Sequence, residues 1–93
     1  VKLVKLVELV KNSGLYNLRE VFINPKHVVY LREEVSIKKH LMEGKLPAGL
    51  DNRQSFTKVF VDNGTTGTEF VVVGKPSMIE LKLNGDNRTV LNG

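Results

Sequence analysis

Two β-rich blocks framing a polar insert constrain this chain more than any other feature of its sequence. In the first block, residues 1–34, the apolar and β-branched stretches Val1–Val10, Leu18–Ile23 and Val28–Leu31 are separated by Asn12-Ser13-Gly14 and Asn24-Pro25. The second block runs from Phe56 to Val73 and breaks at Asp62-Asn63-Gly64. Valine, isoleucine and aromatic residues fit a pleated, half-buried surface, and Asn, Gly and Pro clusters mark the turns between strands. Three strands, an insert and two strands predict a mainly β fold: a small, strongly bent, five-stranded antiparallel barrel. The chain reads as one domain, 1–93. Its first three strands lie in 1–34, a variable insert in 35–55, the last two strands and a C-terminal segment in 56–85, and a tail in 86–93.

A chain of 93 residues is near the small end of what buries its own core, and small domains without covalent staples often gain stability by oligomerising. No stretch approaches the roughly 18 apolar residues of a membrane span, so no membrane partner is expected. Lys2, Lys5, Glu8 and Lys11 punctuate the apolar N-terminal segment, which also lacks a small-residue cleavage site. It is therefore expected to be a strand rather than a signal peptide. Cysteine is absent, which removes disulfides, thiolate metal sites and cysteine nucleophiles together. A reducing, cytoplasmic setting is the expectation, or the host cytoplasm for a chain of phage origin.

The formal net charge of +4 is unevenly placed. Residues 1–19 and 35–58 are each net basic, the latter through Lys38, Lys39, Lys45, Arg53 and Lys58 against Glu43 and Asp51. Residues 20–34 and 59–93 are each slightly acidic. Basic segments supply the sequence-independent phosphate contacts of a nucleic-acid footprint. They equally keep a β protein soluble and blunt its edge strands.

Local signals refine the layout. In Val1–Lys11 polar residues recur every third position, which matches neither strand alternation nor a helical stripe; its four valines favour a strand or a short N-terminal helix feeding one, and the strand is the expectation. Leu18–Ile23 ends in three apolar residues, as would a strand buried on both faces at its far end. Ser36–Met42 has the composition of one or two helical turns with Ser36 as N-cap. Ser77-Met78-Ile79-Glu80 has the form of a capping box and Asn84-Gly85 that of a helix stop, while Ile79, Leu81 and Leu83 alternate as in a strand. A short helix or a strand over 77–83 both fit.

The catalytic inventory is thin. His27 and His40 stand in no metal-ligand spacing. Glu33 and Glu34 are adjacent, so on a strand they point to opposite faces. No GxSxG, P-loop or GxGxxG is present. A non-enzymatic chain without cofactor or metal is expected.

Glu20-Val21-Phe22-Ile23-Asn24 carries a resemblance to the Sm and Sm-like RNA-binding proteins, including the Hfq-type members. Their first motif closes its second strand on an acidic residue, any residue, an aromatic or histidine, an apolar residue and asparagine. The resemblance implies that Phe22 stacks on a base and Asn24 bonds its edge, with Glu20 at the acidic position. Val59-Phe60-Val61, Asp62-Asn63-Gly64 and Phe70–Val73 are similar to the second motif, except that Asp62-Asn63 stands where the family has its arginine. The insert falls where Sm-like chains carry their most variable loop. A second resemblance, to small flagellar regulators of the FlbD type, rests on Val21-Phe22-Ile23-Asn24-Pro25, Val28-Val29-Tyr30 and Asn63-Gly64, though those lack a comparable insert.

The Sm-like resemblance implies a homo-oligomeric ring binding single-stranded RNA, with single-stranded DNA as second candidate. The expected nucleic-acid-binding residues are Phe22, Asn24, Lys26, His27 and Asn63, on loops 24–27 and 62–67 at one end of the barrel. Each residue has a plainer reading: Phe22 as core, Asn24 and Asn63 as turn residues, Lys26 and His27 as solvated loop, Tyr30 as core with its hydroxyl at a rim. Val71–Val73 and the apolar end of Val1–Val10 read as unprotected edges that would pair between identical chains, and together with the resemblance this implies a ring of roughly five to seven copies. The insert is expected to tolerate shortening. The alternative is a protein-interaction or structural adaptor.

Overall fold

A computed structural model describes residues 2–37, 39 and 53–85. It is mainly β: β1 (Val4–Asn12), β2 (Leu15–Ile23), a 3-10 turn (Pro25–His27), β3 (Val28–Glu33), β4 (Phe56–Asp62), β5 (Gly67–Val73) and one helix, α1 (Pro76–Leu83). The five strands form one sheet in the order β2-β1-β5-β4-β3, and all its pairings are antiparallel.

The β1–β2 hairpin pairs Val4 with Ile23 through to Asn12 with Leu15. Its two-residue turn needs positive φ at both central positions to match strand twist, and Ser13 and Gly14 supply it at 51° and 82°. β1 is a central strand, also paired to β5 at Glu8↔Val72 and Leu9↔Val71. Its missing alternation follows from that position: Leu6 and Leu9, on opposite parities, are both buried. Glu8 is tolerated because Arg19 Nε donates to its Oε1 at 3.2 Å.

β1 and β5 pairing with each other corrects the expected edges, since Val71 and Leu9 are already partners within the chain. The terminal strands of the sheet are β2 and β3. Leu18–Ile23 is corrected as well. Ile23 is buried and Val21 half-buried, whereas Phe22 between them is 57% exposed, as a one-sided edge strand requires.

The core gathers Leu6, Ile23, Val59, Val72 and Ile79, with Val4, Val21, Val28, Leu31, Val61, Phe70 and Leu83 packed around it. The segment over 77–83 is helical, and α1 lies against β3 and β4 with Ile79 as its buried residue. Its N-terminus differs from the expected capping box: Pro76 opens the helix after Lys75, and Ser77 lies inside it. Pro is suited to that place because its missing N–H has no helical partner there. Asn84 closes the helix, its backbone N–H and Nδ2 both donating to Glu80 O at 3.0 and 3.1 Å. The insert separates β3 from β4 as expected. Most of it, most of the turns expected over Ser36–Met42, and the tail from 86 lie outside the described residues. Among the described residues no helix is long and apolar enough to cross a membrane.

Candidate nucleic-acid interface

The two loops singled out in the sequence meet through the register of β3 and β4. Val28, directly after the 3-10 turn, pairs with Val61, directly before Asp62. Residues 24–27 therefore end beside the start of the β4–β5 loop. Pro25 fixes φ at the start of the 3-10 turn, and the His27 N–H donates to Asn24 O at 3.0 Å. Lys26 and His27 are exposed.

Both asparagines serve their own loops. Asn24 Oδ1 accepts from the Lys26 N–H at 3.0 Å. Asn63 Oδ1 accepts from the N–H groups of Thr65 and Thr66 at 3.0 and 3.3 Å. Asp62 Oδ1 does the same for the Gly64 N–H at 2.7 Å. These are Asx turns, in which the side chain mimics a backbone acceptor. The carbonyl ends of the two asparagines are engaged, which leaves their amide groups for any ligand.

Phe22 stands on the outer side of β2, opposite Lys5 in the hairpin, beside the Lys5 Nζ–Glu20 Oε2 pair at 3.3 Å. Its exposure rules out the core reading. The electrostatics of the loops are weak. Lys26 is the one lysine or arginine in residues 24–27 and 62–67, and Asp62 opposes it.

A second cluster, missed in the sequence, lies on the outer face of β3, β4 and β5. Tyr30 pairs with Phe60 and Phe60 with Glu69, so the three side chains share one row. The Tyr30 and Phe60 rings stack with centroids 5.2 Å apart and planes 5° from parallel. The Arg32 guanidinium covers the Tyr30 ring at 4.8 Å. Gly67 leaves room for Phe60: a Cβ there would collide with the ring. The Tyr30 hydroxyl donates to Glu69 Oε2, and that bond, with lesser help from desolvation and the carboxylate's charge, raises the phenol above its ordinary range. Tyr30 is thus an outer-face residue, contrary to the core reading. The sequence signal was the matched parity of Tyr30/Arg32 and Lys58/Phe60, visible only once the strand register is known.

Both the Phe60 ring and the Arg32 guanidinium lie against the Tyr30 ring. Of the three residues, Arg32 is the exposed one. At the opposite end of β4, an open depression of about 230 Å³ is lined by Arg53, Gln54, Ser55, Lys75 and Met78. Among the described residues no three His, Asp or Glu side chains gather as a metal site.

No family model, no curated protein and no solved structure matches this chain. The Sm-like and FlbD-type resemblances consequently rest on the residues quoted for them.

Proposed function

We propose that this chain is a non-enzymatic, Sm-like module that binds single-stranded RNA, with single-stranded DNA as second candidate, and works as a homo-oligomer in the cytoplasm. The observation that carries the reading is the Val28↔Val61 pair, which brings Lys26 and His27 beside the loop that holds Asn63. Exposed Phe22 adds an aromatic face near the end of β2, the strand that leads into the turn holding Lys26 and His27. An exposed ring, a cation and amide donors are the parts a single-strand site uses: stacking for affinity, lysine for phosphate, amides for base edges. A single cation per chain makes a weak site, and repetition of that site in an oligomer raises avidity without new contacts.

The test is binding of labelled oligo(U) and oligo(A) across a salt series. Phe22→Leu is expected to weaken binding by about 1–3 kcal/mol per stacked base while the melting temperature stays put, because the ring is exposed. Lys26→Ala should weaken all sequences alike and flatten the salt dependence. Asn24→Ala should change the preference between the two oligonucleotides. A parent protein that binds neither at low salt removes the reading.

One observation favours the adaptor alternative: Leu15, Leu18 and Phe22 are all exposed on the single strand β2. An apolar protein interface there would respond little to salt, the opposite of a phosphate-dominated one.

A further inference from the structure

The sheet has an open seam. β2 and β3 follow one another in the chain, yet they are the two ends of the sheet, and no rung joins them among the described residues. The four residues between them hold the 3-10 turn, and the register is irregular between Val28 and Tyr30, where Val29 is left 60% exposed. Among the described residues each strand therefore offers one row of backbone donors and acceptors to a further strand. Neither contains proline or lysine, the residues that most often blunt such an edge.

The two edges carry the same tripeptide, Leu18-Arg19-Glu20 on β2 and Leu31-Arg32-Glu33 on β3. Side-chain parity decides how copies of these strands fit together. On β2 the odd residues Val21 and Ile23 face the core; on β3 the odd residue Leu31 does, while Tyr30 lies in the outer row. Directly opposed residues in a continuous sheet share a face. Pairing β2 with β2 of another copy, or β3 with β3, about a two-fold axis opposes residues of like parity. Arginine then never meets the neighbouring glutamate, and in β2 a centred register sets Arg19 against Arg19. Pairing β2 of one copy with β3 of the next is different. Arg19 meets Glu33, Glu20 meets Arg32, Val21 meets Leu31 and Phe22 meets Tyr30, with every pair on a common face.

We propose that the seam is the assembly interface: β3 of one copy adds antiparallel to β2 of the next, in that register. The contact is head-to-tail, so it builds a closed ring, or a filament if the rotation does not close. Glu20 then lies between Lys5 of its own chain and Arg32 of the neighbour. This inference deepens the proposed homo-oligomer by naming its edges and rests on it in that respect alone; because it sets Phe22 beside the neighbour's Tyr30, Lys26 and Asn24 are the residues that test the nucleic-acid reading separately.

The experiment is mass in solution by light scattering on three chains: the parent, a β2 swap (Glu20→Arg) and a β3 swap (Arg32→Glu), both of which leave the Arg19–Glu8 pair of the hairpin in place. The parent is expected at a multiple of its 10.4 kDa chain mass. Each swapped chain alone should be monomeric with an unchanged circular dichroism spectrum. The two mixed should assemble again, because swapped β2 meets swapped β3 and native meets native. Should a swap fail to fold, amide exchange on the parent gives the same answer: in 15–23 and 28–33 the outward-facing amides lose protection on dilution, while those paired to β1 and β4 keep it. A parent that is monomeric at high micromolar concentration, swapped chains that assemble like the parent, or edge amides indifferent to dilution would each overturn the interface. A parent that assembles but binds no oligonucleotide removes the nucleic-acid reading and leaves this one intact; a monomer that binds does the reverse.

Discussion

The β1–β2 hairpin and the β3–β4–β5 meander are held together by different forces. The hairpin is the longer pairing, matched from Val4↔Ile23 to Asn12↔Leu15 through a turn made for it. Its cross-strand side chains are nevertheless mostly at the surface, with Lys5 and Glu20 paired at 3.3 Å and each more than half exposed. The meander buries Phe56, Thr57, Val59 and Val72 completely and stacks Tyr30 on Phe60 outside. Length of pairing is thus no guide to stability. A two-stranded ribbon is marginal in water unless it docks on something. This one docks by two rungs to β5 and by Leu6 and Ile23, which reach the cluster around Ile79.

The largest effect should come from cutting that docking. Ile79 is 1% exposed and sits in one cluster with side chains of β1, β2, β4 and β5. Ile79→Ala is expected to cost about 2–5 kcal/mol, the range for emptying a large aliphatic site in a core. Urea denaturation measures the total, and amide exchange locates it. Protection should fall further in residues 15–23 than in 56–73. Equal loss across both regions would mean that the hairpin is no more dependent on the cluster than the meander is.

A smaller effect is expected inside the meander. Thr57 is fully buried, and its hydroxyl donates to Gly74 O at 2.8 Å, tying the start of β4 to the exit of β5. Thr57→Val keeps shape and volume but leaves that carbonyl without the donor. The expected cost is about 1–3 kcal/mol, the penalty of an unsatisfied buried acceptor, read from the urea midpoint. A neutral result would show that the tie between the two ends is made by packing alone, as in the hairpin.

The contrast also explains what could be read from the residues. Turn chemistry is local, so Ser13-Gly14, Asn24-Pro25 and Asp62-Asn63-Gly64 marked the strand ends within a few residues. The two blocks and the insert between them followed. What the sequence left out depends on register. Nothing near Val71 or Leu9 announces that they are partners, and so the wrong strands were read as edges. Phe60 and Arg32 became a cluster with Tyr30 only when β3 was set against β4. Phe22, inside an apolar triplet, looked like core because the triplet hides the alternation that an edge strand still obeys. Within the candidate site, adjacency of the loops was legible from their strand ends. The engagement of Asn24 and Asn63 in Asx turns was legible as their plainer reading.

The smallest effect separates the two regions by pH. Glu34, just past β3, accepts from the Ser36 hydroxyl at 2.7 Å and the Ser36 N–H at 3.1 Å, and its other oxygen pairs with Lys58 Nζ at 3.4 Å. The Ser36 hydroxyl does most to hold the carboxyl below its ordinary range, against desolvation, with the Ser36 N–H and Lys58 assisting. A carboxyl whose folded value lies below its unfolded one stabilises the fold above the unfolded value and loses that contribution as pH falls through the folded one. Glu34→Gln is therefore expected to cost roughly 0.2–1 kcal/mol at neutral pH and nothing once the parent carboxyl is protonated. In the hairpin, Glu20→Gln interrupts a pair exposed on both sides, and its cost should be within about 0.5 kcal/mol of zero at neutral pH. Urea midpoints of parent and both variants, followed from neutral pH down into acid, make the comparison. If the gap between parent and Glu34→Gln fails to close in acid, the carboxylate is not what ties the end of β3 to β4, and the packing around it carries that junction instead.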